Sequence, residues 1–199
     1  IRIIPPEKVA RLLFRNYLTR LPTTHRLDGT MSVLLMSTYD LGHQPFALAS
    51  LCASLSATGA DVICNDIAVE PLNEHAVKTS SLIAVHLAMH TATRLALDIL
   101  PRIKNLNPDA HVCFFGLYAP IAEKLLLGYK NMTFICGEFE TGISALHENL
   151  CGSGPANDPE RISRTLTKQI FLVPDRGGLP PLSDYAYLEE TNGKKVTSG

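Results

Sequence analysis

The chain has 199 residues, of which 46% are hydrophobic and 19% charged. These are the proportions of one globular domain with a sizeable core and some extra segments. A net charge of −1, with Lys and Arg unclustered, gives no electrostatic basis for nucleic acid or an anionic membrane as a partner. No apolar run reaches the roughly 18 residues of a membrane span. The opening IRIIPPEKV has too short an apolar run, and no small-residue cleavage pattern, for a signal peptide. A start at Ile1 rather than Met is what a fragment or trimmed chain would show.

Residues 1–30 read as an appendage. Pro6 suits a first helical position, Val9, Leu12, Leu13 and Tyr17 recur at helical spacing, Pro22 ends the helix, and Asp28-Gly29 marks a turn. An alternating pattern then begins. Val33–Ser37 is a buried strand, Thr38–Gln44 a polar loop, and Pro45 opens a helix striped by Leu48, Leu51, Cys52 and Leu55 that stops at Gly59. Asp61–Asn65 is the second strand. A loop with Pro71 and a short helix near Glu74–Lys78 follow. Leu82–His86 is the third strand. The helix after it, Thr91 to Asn105, carries Pro101 inside it and is expected to kink or restart there. His111–Phe115 is the fourth strand, and the next helix runs from Pro120 to near Gly128. Met132–Cys136 is the fifth strand, and a last helix covers Gly142–Leu150.

Five short apolar runs separated by helices imply right-handed crossovers and an α/β fold, a three-layer, five-stranded parallel sheet of flavodoxin-like or Rossmann-like type over residues 31–150. The order 2-1-3-4-5 is the common choice for five strands. It puts the ligand crevice between the carboxyl ends of strands one and three. Residues 151–199 read as an extension: a loop at 152–159, an apolar strand Ile170–Val173, and a linker from Pro174 leading out of the domain. Asn192-Gly193-Lys194-Lys195 has the look of a hairpin about to start.

The chemistry-bearing residues gather on the loops after strands one, three, four and five. No GxGxxG follows a strand and no GxxxxGK[ST] exists, so the phosphate cradles of dinucleotide and P-loop proteins are missing. Ser37 and Thr38 alone are a thin basis for a flavin phosphate site. His86-Leu87-Ala88 stands where a receiver-type phosphoacceptor would have Asp. His43, His86 and His90 share the crevice edge; they read as hydrogen-bonding loop residues rather than a metal centre, and HLAMH is not the HExxH zinc motif. Gly152-Ser153-Gly154 lies in a loop, not on a nucleophile elbow. Glu138 and Glu140, two apart, suit ligand or partner hydrogen bonding better than acid–base catalysis. Cys52, Cys64, Cys113, Cys136 and Cys151 are odd in number and far apart, which reads as buried free thiols in a reducing cytoplasm.

Strand, polar loop with Pro45, and Gly137-Glu138-Phe139-Glu140 after the fifth strand resemble the cobalamin-binding domain that precedes the catalytic barrel in many radical S-adenosylmethionine (SAM) enzymes, where a Gly-Glu-x-Glu sequence is common at that place. The stretches STYDLGHQPFALAS, MHTATRLAL and PDRGGLPPLSDYAYL are similar, more narrowly, to the radical SAM group named for its CUAEP or CCAEP tail. The resemblance covers about residues 31–190. It implies a corrinoid-binding module, cytoplasmic, presenting cobalamin to a following radical SAM barrel. The four-iron–four-sulfur cluster and S-adenosylmethionine would belong to that barrel, because this chain has no CxxxCxxC. It also implies which loop residues would meet the cofactor. Leu41, Leu87, Met89 and Tyr118 would give apolar contact. Thr38, Tyr39, Gly42, His43, Gln44, His90, Thr91, Leu117, Glu138 and Glu140 would line it, and Gly116 and Gly137 would admit a nucleotide tail. The loop after strand one reads Asp40-Leu41-Gly42-His43, not the DxHxxG that supplies a lower axial histidine, so no metal ligand is assigned. The alternatives are a structural or docking domain of the same enzyme class without corrinoid, and a flavodoxin-like flavin protein.

Overall fold

A computed structural model of the chain describes residues 31–126, 129–152, 162–165, 171–189 and 195–197. The helix expected within residues 1–30, the helix end near Gly128, the 153–159 loop and the Asn192–Lys194 turn lie outside them.

The apolar runs form parallel strands β1 (Ser32–Ser37), β2 (Asp61–Asp66), β3 (Leu82–His86), β4 (His111–Phe115) and β5 (Met132–Gly137). Their order is β2-β1-β3-β4-β5, so the sheet is the expected flavodoxin-like one, with its switch point between β1 and β3. Between them run α1 (Phe46–Ala57), α2 (Glu74–Thr79), α3 (His90–Leu106), α4 (Ala119–Leu125) and α5 (Phe139–Leu150).

Side chains alternate across the sheet with period two, so each strand supplies both faces. Leu34, Met36, Ile83, Val85, Phe114 and Phe134 pack with Ala96, Leu100, Ile103 and Ala122 of α3 and α4. Val33, Leu35, Leu82, Ala84, Cys113, Phe115 and Ile135 pack with Leu48, Leu51, Leu55, Ile143 and Leu146 of α1 and α5. Two buried faces explain why these strands are almost wholly apolar. Gly142 lets α5 lie close on β5: a Cβ there would meet Ile135 Cγ2 at 3.0 Å.

The structure departs from the sequence expectations in three places. First, α3 does not restart at Pro101 but continues through it as one helix. Pro101 is exposed, so water can satisfy the carbonyl its missing N–H leaves open, while buried Leu100 and Ile103 hold the helix on the sheet. Second, a sixth parallel strand, β6 (Ile162–Thr165), extends the sheet beyond β5. The sequence ISRT carries one apolar residue and gives no strand signal. Phe171–Val173, expected as a strand, has no regular structure and is exposed; Pro174 cuts it short and β6 has taken the β5 edge. Third, the segment expected to lead out of the domain first folds back across it. Residues 171–186 are irregular apart from one 3-10 turn, Leu182–Asp184, yet Leu179 and Tyr185 are buried. A hairpin then pairs β7 (Tyr187–Glu189) with β8 (Lys195–Thr197).

A cavity of about 400 Å³ opens at the amino ends of the strands, lined by Ser81, His111 and Asn131 among others, at the opposite edge from the crevice.

Candidate functional site

The carboxyl edge of the sheet places Asp66, Ser37, His86 and Phe115 in one row, because Ser37 is in register with both Asp66 and His86, and His86 with Phe115. Buried polar atoms cluster along it. Ser37 Oγ, Asp66 Oδ2 and His86 Nδ1 have no hydrogen-bond partner, and neither does Tyr185 Oη. Such orphans are rare in folded proteins and collect at functional sites.

His86 stands at the switch point. Its ring lies 5.1 Å from that of Phe115 and 6.3 Å from that of Phe139, centroid to centroid. Burial pushes its pKa down to about 4, so it is a neutral imidazole at neutral pH. Gly116 is there for His86: its φ is +102°, and a Cβ would come within 3.0 Å of His86 Cδ2 and 3.1 Å of the Leu87 carbonyl. The space expected to admit a ligand tail beside Gly116 is therefore filled by the protein itself.

Asp66, at the end of β2, has its pKa pushed up to about 6, first by burial. The Ala68 N–H opposes that shift, donating to Asp66 Oδ1 at 3.2 Å. The Tyr185 and Ser37 hydroxyls approach the carboxylate and also favour its charge, without closing hydrogen bonds of normal geometry.

The loop after β1 is held by the chain's own later residues. His43 N–H donates to the Asp40 carbonyl at 2.8 Å and closes a turn in which Leu41 and Gly42 both take positive φ. Burial raises the Asp40 pKa, and the nearby His43 imidazole opposes that shift. Gly42 O accepts from Ala186 N at 2.8 Å, and a Cβ on Gly42 would strike Ala186 Cβ at 2.9 Å. The Gln44 side chain donates to the Pro180 carbonyl at 2.8 Å and accepts from Arg176. Asp175 N donates to Ala49 O at 2.9 Å, and Gly178 rests on Cys64. We refer to Asp175–Ala186 as the strap.

The expected cofactor-lining residues therefore divide. Thr38 is buried and donates to the Ala92 carbonyl at 2.9 Å, tying the β1 loop to α3. Leu87 is fully buried on the α3 face and cannot touch a ring above the edge; its backbone joins the loops, accepting from Tyr118 N and donating to Phe115 O. Glu140 is turned inward, accepting from Ser50 Oγ at 2.8 Å between α1 and α5, with its Oε2 buried and unpartnered. It is not one of a pair of carboxylates facing outward. Gly42 and Gln44 serve the strap. Tyr39, Met89, Thr91, Tyr118 and Glu138 are half-buried, and His43, His90 and Gly137 exposed. Leu41 and Leu117 are exposed large apolar residues at 59% and 78%. His90, Leu117 and Gly137 thus leave the β3–β5 half of the edge open.

Sequence reading missed Asp66, Tyr185 and Phe139 as parts of this edge. An Asp ending a strand was the available signal for Asp66. Nothing local marks Tyr185, which arrives from the far end of the chain. His43, His86 and His90 do not converge: no group of three metal-ligating side chains forms among the described residues. Cys52, Cys64 and Cys113 are buried free thiols, Cys136 is half-buried and Cys151 exposed. No helix among the described residues is long and apolar enough to cross a membrane. No family model, no curated protein and no solved structure matches the chain.

Proposed function

We propose that this chain is the corrinoid-binding α/β module of a cytoplasmic radical SAM enzyme, presenting cobalamin to a following barrel that holds an iron–sulfur cluster and cleaves S-adenosylmethionine. The sequence resemblance motivates the reading. The observation that carries it furthest is the buried, unpartnered His86 Nδ1 at the end of β3, beside an edge whose loops expose Leu117, His90 and Gly137. A polar atom awaiting a partner below apolar side chains suits a large amphiphilic ring with amide arms.

The residues present fit such a group on the β3–β5 half. Met89, Leu117 and Tyr118 would give apolar contact, His90, Thr91 and Glu138 would bind amides, and the exposed Gly137 would allow close approach. A corrinoid would supply methyl-carrying cobalt there. His43 lies in the Asp40 turn, outside a DxHxxG sequence, and is not assigned to cobalt.

A second reading rests on the strap: a docking domain of the same class that binds no corrinoid would keep the β1 loop covered, as it is here. Hydroxocobalamin added to the purified chain separates the two. A shifted visible spectrum with co-eluting cobalt supports the corrinoid. No retained cobalt at micromolar concentration overturns it and leaves the docking domain.

A further inference from the structure

We infer that the strap is a built-in competitor for the ligand crevice: Tyr185 seats over Ser37 and Asp66 at the sheet edge, and strap docking and ligand occupancy of the β1 lip exclude each other. The inference rests on the corrinoid reading and adds to it: a ligand held on the β3–β5 half would reach the β1 lip across the switch point only with the strap undocked.

Four contacts carry it. In this fold class, ligands lie outside the carboxyl ends of the strands at the switch point, and β1 is one of the two strands that define it. Yet Gly42 O, the Gln44 amide and the space above Gly42 are all taken by Ala186, Pro180 and Arg176. Tyr185 is 5% exposed although its segment has almost no regular structure. Its hydroxyl is one of the unpartnered atoms at this edge. The strap is thus seated by one aromatic ring, the Leu179 side chain, the Gln44 bonds to Pro180 and Arg176, and a few backbone bonds. Segments with so few buried contacts open with low free energies compared with the core. Asp66 faces Tyr185 and Glu70 there, and Asp184 adjoins the ring. An arriving ligand can replace the strap's bonds to Gly42 and Gln44, so the lip need never be left unpaired.

Opening also uncovers a reporter. Gly178 lies 3.7 Å from Cys64 Sγ, measured from the Cβ it lacks, and Asp175 Oδ2 is 3.9 Å from Cys52 Sγ. Both thiols are buried, and the strap supplies part of their cover.

The test uses the full chain with and without hydroxocobalamin. Hydrogen exchange is read at the Asp175 and Ala186 amides, alkylation at Cys52 and Cys64 by mass spectrometry, and affinity by cobalt retention. Saturating hydroxocobalamin should lower protection at both amides and speed alkylation of both thiols. Tyr185→Ala should do the same without ligand and tighten retention by about tenfold if the strap is open in about a tenth of wild-type molecules; Tyr185→Phe, which keeps the ring, should stay near wild type. Retained cobalt with unchanged amide protection defeats the competition alone. A freed strap in Tyr185→Ala with no tighter retention defeats it too. Cobalt retained by neither protein, with the strap freed, defeats the corrinoid reading and the competition together. The wild-type titration needs no variant to fold.

Discussion

On the β1–β2 side of the carboxyl edge, Thr38 bonds to Ala92, Gln44 to Pro180 and Gly42 to Ala186. On the β3–β5 side, Leu117, His90 and Gly137 face outward and the orphaned His86 Nδ1 lies at the floor. β1 on one side and β3 and β4 on the other are alike in being almost wholly buried, so these strands do not cause the difference. For Gly42 and Gln44 it comes from the strap, a segment well over a hundred positions later in sequence, while Thr38 is satisfied by α3. One edge can thus hold a self-satisfied half and a half ready for a partner, and mutations should separate them.

The largest effect belongs to the floor of the open half. Phe115 is fully buried, with its ring 4.9 Å from that of Phe139 and 5.1 Å from that of His86. Phe115→Ala should destabilise the domain by about 3–5 kcal/mol, the usual cost of removing a core aromatic, as a lowered urea midpoint. An unchanged midpoint would mean that the open half is already loosely packed.

Next is Asp66, on the strap side. Its pKa rises from 3.8 to about 6. Between those values the folded chain holds a proton that the unfolded chain has released, so this group's contribution is full below pH 3.8 and is lost as pH rises through 6. His86 has the opposite sign. Its pKa falls from 6.5 to about 4, so its contribution is full above pH 6.5 and is lost as pH drops through 4. Asp66→Asn should therefore stabilise the chain by about 2 kcal/mol at pH 7, with the gain vanishing near pH 4 in urea titrations. A gain independent of pH would show that ionisation is not its source.

Much of the architecture was legible in the residues. Leu82–His86 and His111–Phe115 agree with the observed strands, because short apolar runs ending at a polar residue leave little freedom in a sheet covered on both faces. Gly116 and Gly137, singled out as places of close backbone approach, do take positive φ. What was hidden depends on distance in sequence. The ISRT strand exists because β5 offers a free edge, not because ISRT favours strands. The burial of Leu87 follows from its position one residue beyond β3, where the chain still lies over the α3 layer. The lip residues Thr38, Gly42 and Gln44 have ligand-binding chemistry, but which partner uses that chemistry is decided by Ala92 and the strap.

The smallest effects on folding test the division most directly. Thr38→Val removes a buried hydrogen bond to the Ala92 carbonyl, which should cost about 1 kcal/mol. It should leave hydroxocobalamin retention unchanged, because that hydroxyl already serves the protein. Leu117→Ser should do the reverse. At 78% exposure the leucine holds nothing together, and the substitution should move the urea midpoint by less than about 0.5 kcal/mol. Retention should weaken severalfold, since an apolar contact on a ring is worth on the order of 1 kcal/mol. Paired urea and cobalt-retention measurements on the two variants check this. If Thr38→Val lost cobalt while Leu117→Ser kept it, the division of the edge into a self-satisfied half and an open half would be wrong.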